Sequence, residues 1–385
     1  MQKMVYLGTN KELFVYTPDI VEQKQLTYPL DEAMGPAIWP VWSPDGKWIA
    51  YFQATAEDGA SCICIAQVDG MDVLVLAELR ERTPLYLHWS PSGKYLACVE
   101  QAELLELVVY CIATGKRTVL DDGAPIFFQW LPNQERIVAH IIKPFASTSR
   151  IQLYDIEDSE VDYVISTKSG GFASPVFMQD QLLFVEKHQD VSAVQLYNLQ
   201  SREQTTLCGV AGGVSLQPRP HHNQLAMAVA SPNQQAQRSS VQLLDLYTGK
   251  LDTIIEETVQ SIFWTPNGEK LLYSRVDTEN KWLEWKYWHK QQIHTVGQFI
   301  PTREQLFFLH FFEQFSLSHN IISADSASFY FSGFEMEHPE KEQRGWSVQA
   351  WIIKASLENV VETDRETTHS PFENIAMGLF PSLSW

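Results

Sequence analysis

The sequence lacks any long apolar run, and no stretch approaches the roughly 20 residues that a membrane-spanning helix requires. Its first residues, MQKMVYLGTNKELFVYT, also lack the basic segment and long apolar stretch of a secretory signal. Positive charge is scarce, because 28 Lys and Arg stand against 47 Asp and Glu, which gives a formal net charge of −19. Phosphate groups are bound by concentrated Lys and Arg, so we expect a protein that binds neither nucleic acid nor membrane. Because no signal segment or membrane helix is visible, we also expect it to be cytoplasmic.

Cysteine is also scarce. The five residues Cys62, Cys64, Cys98, Cys111 and Cys208 are an odd number and lie mostly inside apolar, strand-like runs. Cys62 and Cys64 form a C-x-C pair, but a structural zinc site needs a second such pair or added His ligands at suitable spacing. We expect buried free thiols, with a metal or disulfide role as the alternative.

The usual catalytic motifs are missing as well. No G-x-S-x-G occurs, and the nearest string, GGVSLQP around Ser215, lacks the closing glycine. There is no G-x-x-x-x-G-K-[ST] and no H-E-x-x-H. The 11 histidines include no His-x-His or His-x-x-x-His pair that would indicate a metal site. We therefore expect no cofactor and no bound metal, and we favour a protein that is not an enzyme.

What the sequence does contain is a repeated phrase, WSPDGKWIAYF at 42–52 and WSPSGKYLACV at 89–99. Pro44 presets the first corner of a turn, Asp45 accepts backbone donors, and Gly46 supplies the left-handed position of a bulged hairpin. Related phrases are WLPNQERIVAH at 130, VFMQDQLLFVE at 176 and WTPNGEKLLYS at 264, with weaker forms at 216 and 322. Each phrase predicts two strands joined by a tight turn.

The phrase recurs at the spacing of a propeller. Its Trp, or the equivalent residue, stands at 42, 89, 130, 177, 217, 264 and 322. Two further strand-like runs follow most hairpins, and no long amphipathic helix competes with the alternating pattern. Four strands per repeat of this length predict an all-β protein that forms a β-propeller.

The two ends of the sequence complete the predicted ring. The segment AMGLFPSLSW resembles a first strand that ends at Trp385, and KMVYLGTNKELFVYTPDIVEQKQLTY resembles the three strands that such a blade lacks. Pairing of the N- and C-terminal strands would leave no free sheet edge. We therefore predict one closed β-propeller domain over residues 1–385 with eight four-stranded blades. Seven blades followed by a tail are the alternative.

The phrases WSPDGKWIAYF, WSPSGKYLACV and WTPNGEKLLYS resemble the TolB-like relatives of WD-type propeller repeats. They are also similar to the propeller domains of dipeptidyl-peptidase and prolyl-oligopeptidase enzymes, without the hydrolase domain. The resemblance covers essentially the whole chain. It implies a fold rather than a function, because the shared residues form turns and pack blades together.

Function then depends on loops, which in a propeller are sorted by face. The predicted hairpin turns are short and lie on one face, whereas the loops between second and third strands are irregular and lie on the other. We expect a binding scaffold for a protein or peptide on the irregular face. The run LFFLHFFEQF at 306–315 is either a first strand packed between blades or, in part, an aromatic anchor. The candidate partner-binding residues are Phe312, Phe315, His338, Glu340 and Trp346.

A second hypothesis is a metal-dependent carbohydrate-active enzyme, a lyase or hydrolase, with its site in the central channel. The TolB-like fold is shared with metal-dependent oligogalacturonate lyases, so the resemblance allows this activity. The polar residues expected to line the channel from the first strands are His88, Gln129 and Glu313.

Overall fold

β-strand is the main secondary structure in the computed structural model, and the described residues also include two short α-helices late in the chain. The structure describes residues 2–28, 34–55, 60–70, 72–143, 148–158, 162–168, 170, 173–231, 234–277, 279, 282–334, 350–357 and 372–384. Within these residues, no helix has the length and apolar character needed to cross a membrane. The prediction of an all-β protein is confirmed.

The first three strands and the last seven form one ten-stranded antiparallel sheet. The first three are β1 (Met4–Gly8), β2 (Leu13–Thr17) and β3 (Glu22–Gln25), with a 3₁₀ turn at Pro18–Ile20. The last seven are β24 (Ser261–Trp264), β25 (Leu271–Asp277), β26 (Trp282–His289), β27 (Gln292–Pro301), β28 (Ser328–Phe334), β29 (Trp351–Ser356) and β30 (Phe372–Leu383).

The strands between these form five four-stranded antiparallel sheets in chain order. The first two sheets contain β4 (Met34–Trp42), β5 (Trp48–Thr55), β6 (Ser61–Gln67), β7 (Val73–Leu79), and β8 (Thr83–Trp89), β9 (Tyr95–Gln101), β10 (Leu105–Cys111), β11 (Arg117–Gly123). The third and fourth contain β12 (Ile126–Trp130), β13 (Arg136–Lys143), β14 (Thr148–Asp155), β15 (Tyr163–Ser166), and β16 (Val176–Met178), β17 (Gln181–His188), β18 (Val191–Asn198), β19 (Gln204–Ala211). The fifth contains β20 (Val214–Pro218), β21 (Gln224–Ser231), β22 (Gln234–Asp245) and β23 (Leu251–Ile255).

The repeated phrase forms the turn that the sequence predicted. Gly46 has a φ of +67°, and its N–H donates to the carbonyl of Ser43 over 2.9 Å. Asp45 accepts from the Ser43 hydroxyl and from the Lys47 N–H, at 2.7 and 3.1 Å. Gly93 and Gly268 are also left-handed, at +73° and +70°. These glycines allow a positive φ that a side chain would strain, so the turn is set locally by the sequence.

The repeated Trp ties one sheet to the sheet before it. Its indole N–H donates to a backbone carbonyl on the first strand of the preceding sheet or, for the first of them, on β30. The donors and acceptors are Trp42 to Ser382 (2.9 Å), Trp89 to Val41 (3.2 Å), Trp130 to His88 (3.1 Å) and Trp264 to Gln217 (3.2 Å). The prediction that these tryptophans are structural is confirmed.

The N- and C-terminal strands pair, as predicted. In β1 and β30, Met4 lies opposite Leu383 and Leu7 lies opposite Leu379. Ser384 extends the contact, because its N–H donates to the carbonyl of Lys3 over 2.8 Å. The predicted last residue of this strand, Trp385, lies outside the described residues.

Apolar side chains fill the space between successive sheets. Examples are Ile65 with Leu87 between the first two sheets, Leu153 with Phe184 between the third and fourth, and Leu183 with Met227 between the fourth and fifth, each pair being in one cluster. Within WLEWKYWHK, Trp285 is fully buried and stacks beside Phe299, with ring centroids 6.1 Å apart. The core is thus divided among interfaces between stacked sheets, which is how a sheet that is apolar on both faces is buried.

The sequence prediction for residues 306–315 is wrong, because this segment is helical. Helix α1 (Arg303–His310) is followed by a short helix α2 (Phe312–Phe315). Thr302 caps α1, since its hydroxyl accepts from the Gln305 N–H over 3.0 Å. The chain returns to β structure only at Asn320 and Ile322, which form isolated bridges with Leu383 and Phe329.

The five cysteines all lie among the described residues, and none of them forms a disulfide bond. Cys62, Cys64 and Cys98 are buried, as predicted, whereas Cys111 and Cys208 are half-buried. Burial raises the pKa of Cys64 to about 12, and it also raises the pKa of Cys98. These two thiols therefore remain protonated at neutral pH and are poor nucleophiles.

Candidate functional site

The two helices contact the first strands of several sheets, and Gln314 of α2 fixes their position. Its side chain accepts from the Phe128 N–H and donates to the Phe128 carbonyl, each over 2.9 Å. Its backbone carbonyl accepts from the hydroxyl of Tyr86 on β8, at 2.8 Å. On α1, Gln305 accepts from the Ser332 N–H of β28 at 3.0 Å. The buried Gln314 amide is hydrogen-bonded through both its oxygen and its nitrogen, and these contacts specify the position of the helices.

Aromatic side chains also pack the helices against the strands. Phe315 lies against Trp39 of β4, with centroids 4.5 Å apart, and against Tyr86 at 5.3 Å. Phe308 stacks on Phe263 of β24 at 5.9 Å. Helices α1 and α2 therefore contact strands that are far apart in the chain, β4, β8 and β24. We call these two helices together the helical plug.

Beside this plug lies a cavity of about 320 Å³. It is lined by Phe127, Gly170, Lys187, Ser192, Gly213, Val214, Ser215, Ala228, Ala230, Arg238, His310, Phe311 and Glu313. Phe127 and Val214 stand near the starts of first strands, and Lys187 and Ala230 stand near the ends of second strands. The cavity is thus on the side of the irregular loops, where the sequence predicted binding residues.

Arg238 on β22 is the central polar residue of the cavity, and its side chain is only 15% exposed. Its Nε donates to the Ser215 hydroxyl over 2.8 Å, its Nη1 to the Gln260 carbonyl over 3.3 Å, and its Nη2 to Glu313 over 3.3 Å. The guanidinium carbon also lies 4.9 Å from the centre of the Phe312 ring. These contacts hold the half-buried guanidinium in a fixed orientation.

Glu313 provides the matching negative charge from α2, and its side chain is 5% exposed. Burial raises the pKa of this carboxyl, while Arg238, the Ser215 hydroxyl and the Ser174 N–H act in the opposite direction. The pair joins the helical plug to the sheet of β20–β23. Removing one partner of such a pair leaves the other charge uncompensated, which destabilises a protein strongly.

Two further polar groups complete the wall. The side chain of His310 lies 3.5 Å from Gln260, between its Nδ1 and the amide nitrogen, and its pKa is lowered by burial and by Arg238. Lys187 is exposed at the cavity wall, and a Cβ at Gly170 would stand 2.9 Å from the Lys187 Cβ. Glycine at 170 therefore permits the segment after β15 to approach β17 closely.

Next to the cavity, α1 presents an apolar face to solvent. Leu306 and Phe307 are each 40% exposed, and Phe311 is half-buried. Phe307 lies 4.8 Å from Phe311 and 5.8 Å from Trp39, measured between ring centroids. Exposed aromatic groups beside a charged cavity are typical of a binding surface.

The structure corrects the role expected of Phe312 and Phe315. They are 0% and 3% exposed, so they pack against neighbouring rings and cannot be surface anchors in this structure. The helical period turns these two residues inward and Leu306 and Phe307 outward. The other three candidates, His338, Glu340 and Trp346, lie outside the described residues, and their role stays a prediction.

The three polar residues expected to line a channel, His88, Gln129 and Glu313, do not all lie in one place: two are on first strands, and one is on a helix beside the cavity. His88 and Gln129 lie on the first strands β8 and β12, and both have a buried side-chain atom without a described partner, Nδ1 and Oε1 respectively. Burial lowers the pKa of His88 to about 3. Glu313 lies on a helix instead of a strand, and it alone of the three lines the cavity.

Sequence reasoning missed Arg238, Lys187 and the contribution of Ser215. Arg238 lies on β22, 75 positions before its ionic partner Glu313. No local pattern connects residues at such a separation. Across the described part of the chain, no three His, Cys, Asp or Glu side chains come together in a group that could hold a metal ion.

Solved structures share this fold at low sequence identity. Dihydro-heme d1 dehydrogenase NirN in complex with DHE matches with a TM-score of 0.61 and 12% identity, over 99% of this chain and 74% of that one. A prolyl endopeptidase matches with a TM-score of 0.58 and 12% identity, over 90% and 50%. Dipeptidyl peptidase 4 of Porphyromonas gingivalis matches with a TM-score of 0.52 and 12% identity, over 74% and 48%.

These likenesses concern the fold alone. The chain has a β-propeller fold of the type found in these peptidases, and the predicted resemblance to the propellers of dipeptidyl-peptidase and prolyl-oligopeptidase enzymes is confirmed at that level. This chain spans about half the length of the prolyl endopeptidase that it matches. No protein-family model and no curated protein matches the sequence.

Proposed function

We propose that this chain is a non-catalytic β-propeller that binds another protein or a peptide on the side where the cavity opens. The observation that carries the proposal is the exposed apolar face of α1, Leu306 and Phe307, beside a cavity that contains the half-buried Arg238. Interfaces draw most of their affinity from such aromatic and arginine groups on a rigid support.

We further propose that the rigid support is one closed ring of eight blades. Five blades are the four-stranded sheets, and the ten-stranded sheet supplies three more if it is divided at β27 and β30. Support for the division comes from pairing: Phe299 of β27 lies opposite β26 and Ile300 opposite β28, while Met377 of β30 lies opposite β29 and Gly378 opposite β1. If blades are counted from the sheet of β4–β7, the seventh contains β28, β29 and the first part of β30. The helical plug replaces most of the first strand of this blade.

The test uses a purified partner. Affinity purification of the full chain identifies the partner, and the dissociation constant is then measured with both proteins purified. We expect the double variant Leu306→Ala, Phe307→Ala to weaken binding by about tenfold or more, because it removes two exposed apolar groups. The control is Tyr247→Ala, since Tyr247 is 87% exposed on a turn between β22 and β23.

Both variants should keep the circular-dichroism spectrum and thermal midpoint of the unaltered chain. Equal affinity of the double variant and the unaltered chain for the partner would contradict a binding role of α1. Trp346→Ala remains a further variant of interest, because the role of Trp346 is still a prediction.

A further inference from the structure

The cavity beside α1 has an unusual charge for this protein. Its lining carries two cationic groups, Lys187 and Arg238, and one anionic group, Glu313. The cavity wall therefore has a net positive charge, although the whole chain carries a formal charge of −19. A local positive potential enclosed by apolar walls concentrates anions.

The guanidinium of Arg238 also has more N–H donors than its contacts in the cavity use. A guanidinium has five N–H groups, and the contacts with Ser215, Gln260 and Glu313 engage one on each nitrogen. Two N–H groups therefore remain without a partner among the residues that the structure describes. Because Arg238 is held by its other three contacts, a ligand that accepts these N–H groups would not have to order the side chain first.

The rest of the wall is apolar. Phe127 and Phe311 contribute aromatic surface, and Val214, Ala228 and Ala230 contribute small aliphatic groups. A volume of about 320 Å³ is at the lower end of the range for small-molecule sites. The cavity is thus suited to a small group that combines an apolar body with one negative charge.

We propose that this cavity binds a carboxylate attached to an apolar or aromatic group. The carboxylate accepts from Arg238 and Lys187, and the apolar part packs against Phe311 and Phe127. Carboxylates of this kind occur at the C-terminal end of a peptide and in free organic acids. The inference deepens the proposed function, and it rests on that function where the carboxylate is the end of the bound partner.

Calorimetric titration of the full chain tests the proposal with matched probes. The small probes are phenylacetate, phenylacetamide and phenethylamine; the peptide probes are acetyl-Leu-Phe as the free acid and as the C-terminal amide. We expect each acid to bind about tenfold more tightly than its amide, since charge-assisted hydrogen bonds are lost in the amide. Tighter binding of the peptide acid than of phenylacetate would identify a chain end as the source, and the reverse would identify a free acid.

Variants locate the binding. Lys187→Met should weaken binding of the acids by about fivefold or more and leave the amides unchanged. Lys116→Met removes the same charge from an exposed turn between β10 and β11, and it should change nothing. Lys187 is exposed, so its replacement should not unfold the chain.

The proposal is overturned if acids and amides bind equally, if the amine binds most tightly, if Lys187→Met and Lys116→Met behave alike, or if no probe binds. None of these outcomes bears on the Leu306 and Phe307 variants. If the Leu306 and Phe307 double variant loses partner binding but the acids fail to bind as expected, the proposed function is supported and only the carboxylate proposal is rejected.

Discussion

Arg238 and Glu313 form a 3.3 Å ion pair that connects β22 to the helical plug. Their side chains are 15% and 5% exposed, and Ser215 contacts both of them. The pair therefore has two roles in this fold. It fixes the position of α2 against the β20–β23 sheet, and it forms part of the polar lining of the cavity.

Breaking this ion pair on one side should cost more stability than removing both charges. Arg238→Met leaves the Glu313 carboxylate buried without its cation, and we expect it to lower the free energy of unfolding by about 3 kcal/mol. The double variant Arg238→Met, Glu313→Gln should recover most of that loss. Urea denaturation at neutral pH measures both values.

An exposed ion pair supplies the control. Lys354 and Glu373 lie 3.5 Å apart and are 36% and 66% exposed, so Lys354→Met should change the free energy of unfolding by less than about 1 kcal/mol. If Arg238→Met and Lys354→Met are equally mild, the buried pair does not hold the plug.

Acid should destabilise the protein from about pH 6.5 downward, because the buried His140 and His319 and the half-buried His88 are neutral in the folded chain. Burial lowers the pKa of His88 and His319 to about 3 and that of His140 to about 4. The unfolded chain takes up these protons near pH 6.5 and the folded chain does not, so stability is full above this pH and falls as the pH decreases. The expected loss between pH 6.5 and 5 is about 2 kcal/mol for each histidine.

The thermal midpoint at pH 7.5 and at pH 5 measures this effect. His319→Gln should reduce the difference between the two midpoints, whereas His221→Gln, on an exposed turn, should leave it unchanged. An unchanged difference in His319→Gln would show that protonation of His319 does not couple to unfolding.

Trp42→Phe should loosen the contact between β4 and the terminal strands. The variant removes the indole N–H that donates to the Ser382 carbonyl, and we expect a loss of about 1 to 3 kcal/mol. Hydrogen exchange should become faster in β30 and β1, because Ser382 lies opposite Val5 in their pairing. Mass spectrometry of peptides from both strands measures the change.

Trp48→Phe is the matched control. Trp48 opens β5, is half-buried, and makes no indole hydrogen bond among the described residues. Its replacement removes the same atoms without breaking a link between sheets. If both variants accelerate exchange at the termini to the same extent, the Trp42 bond does not secure the terminal pairing.

Much of the fold was predictable because its signals are local. A turn such as Ser43 to Gly46 is set by the conformational preferences of four adjacent residues, and the strands on either side follow from alternation. The pairing of β1 with β30 was also predictable, since the two ends each resembled part of one four-stranded unit.

The helical plug had a local signal that the apolar run concealed. Thr302, followed by Gln305 three residues later, is a helix-start pattern, and the buried positions of α1, which are 305, 308 and 309, follow the helical period. A strand was predicted because LFFLHFFEQF is apolar at adjacent positions as well. Short apolar runs are ambiguous in this way.

The sequence by itself determined the turns, the strand pattern, the repeat and the pairing of its two ends, since each depends on residues near one another or on a pattern repeated along the chain. Only the tertiary structure decided that Arg238, Ser215 and Glu313 meet, that Leu306 and Phe307 face solvent, and that Phe312 and Phe315 do not. The physical reason is that these contacts join segments far apart in the chain, and their energies depend on burial and distance, which no spacing of residues encodes.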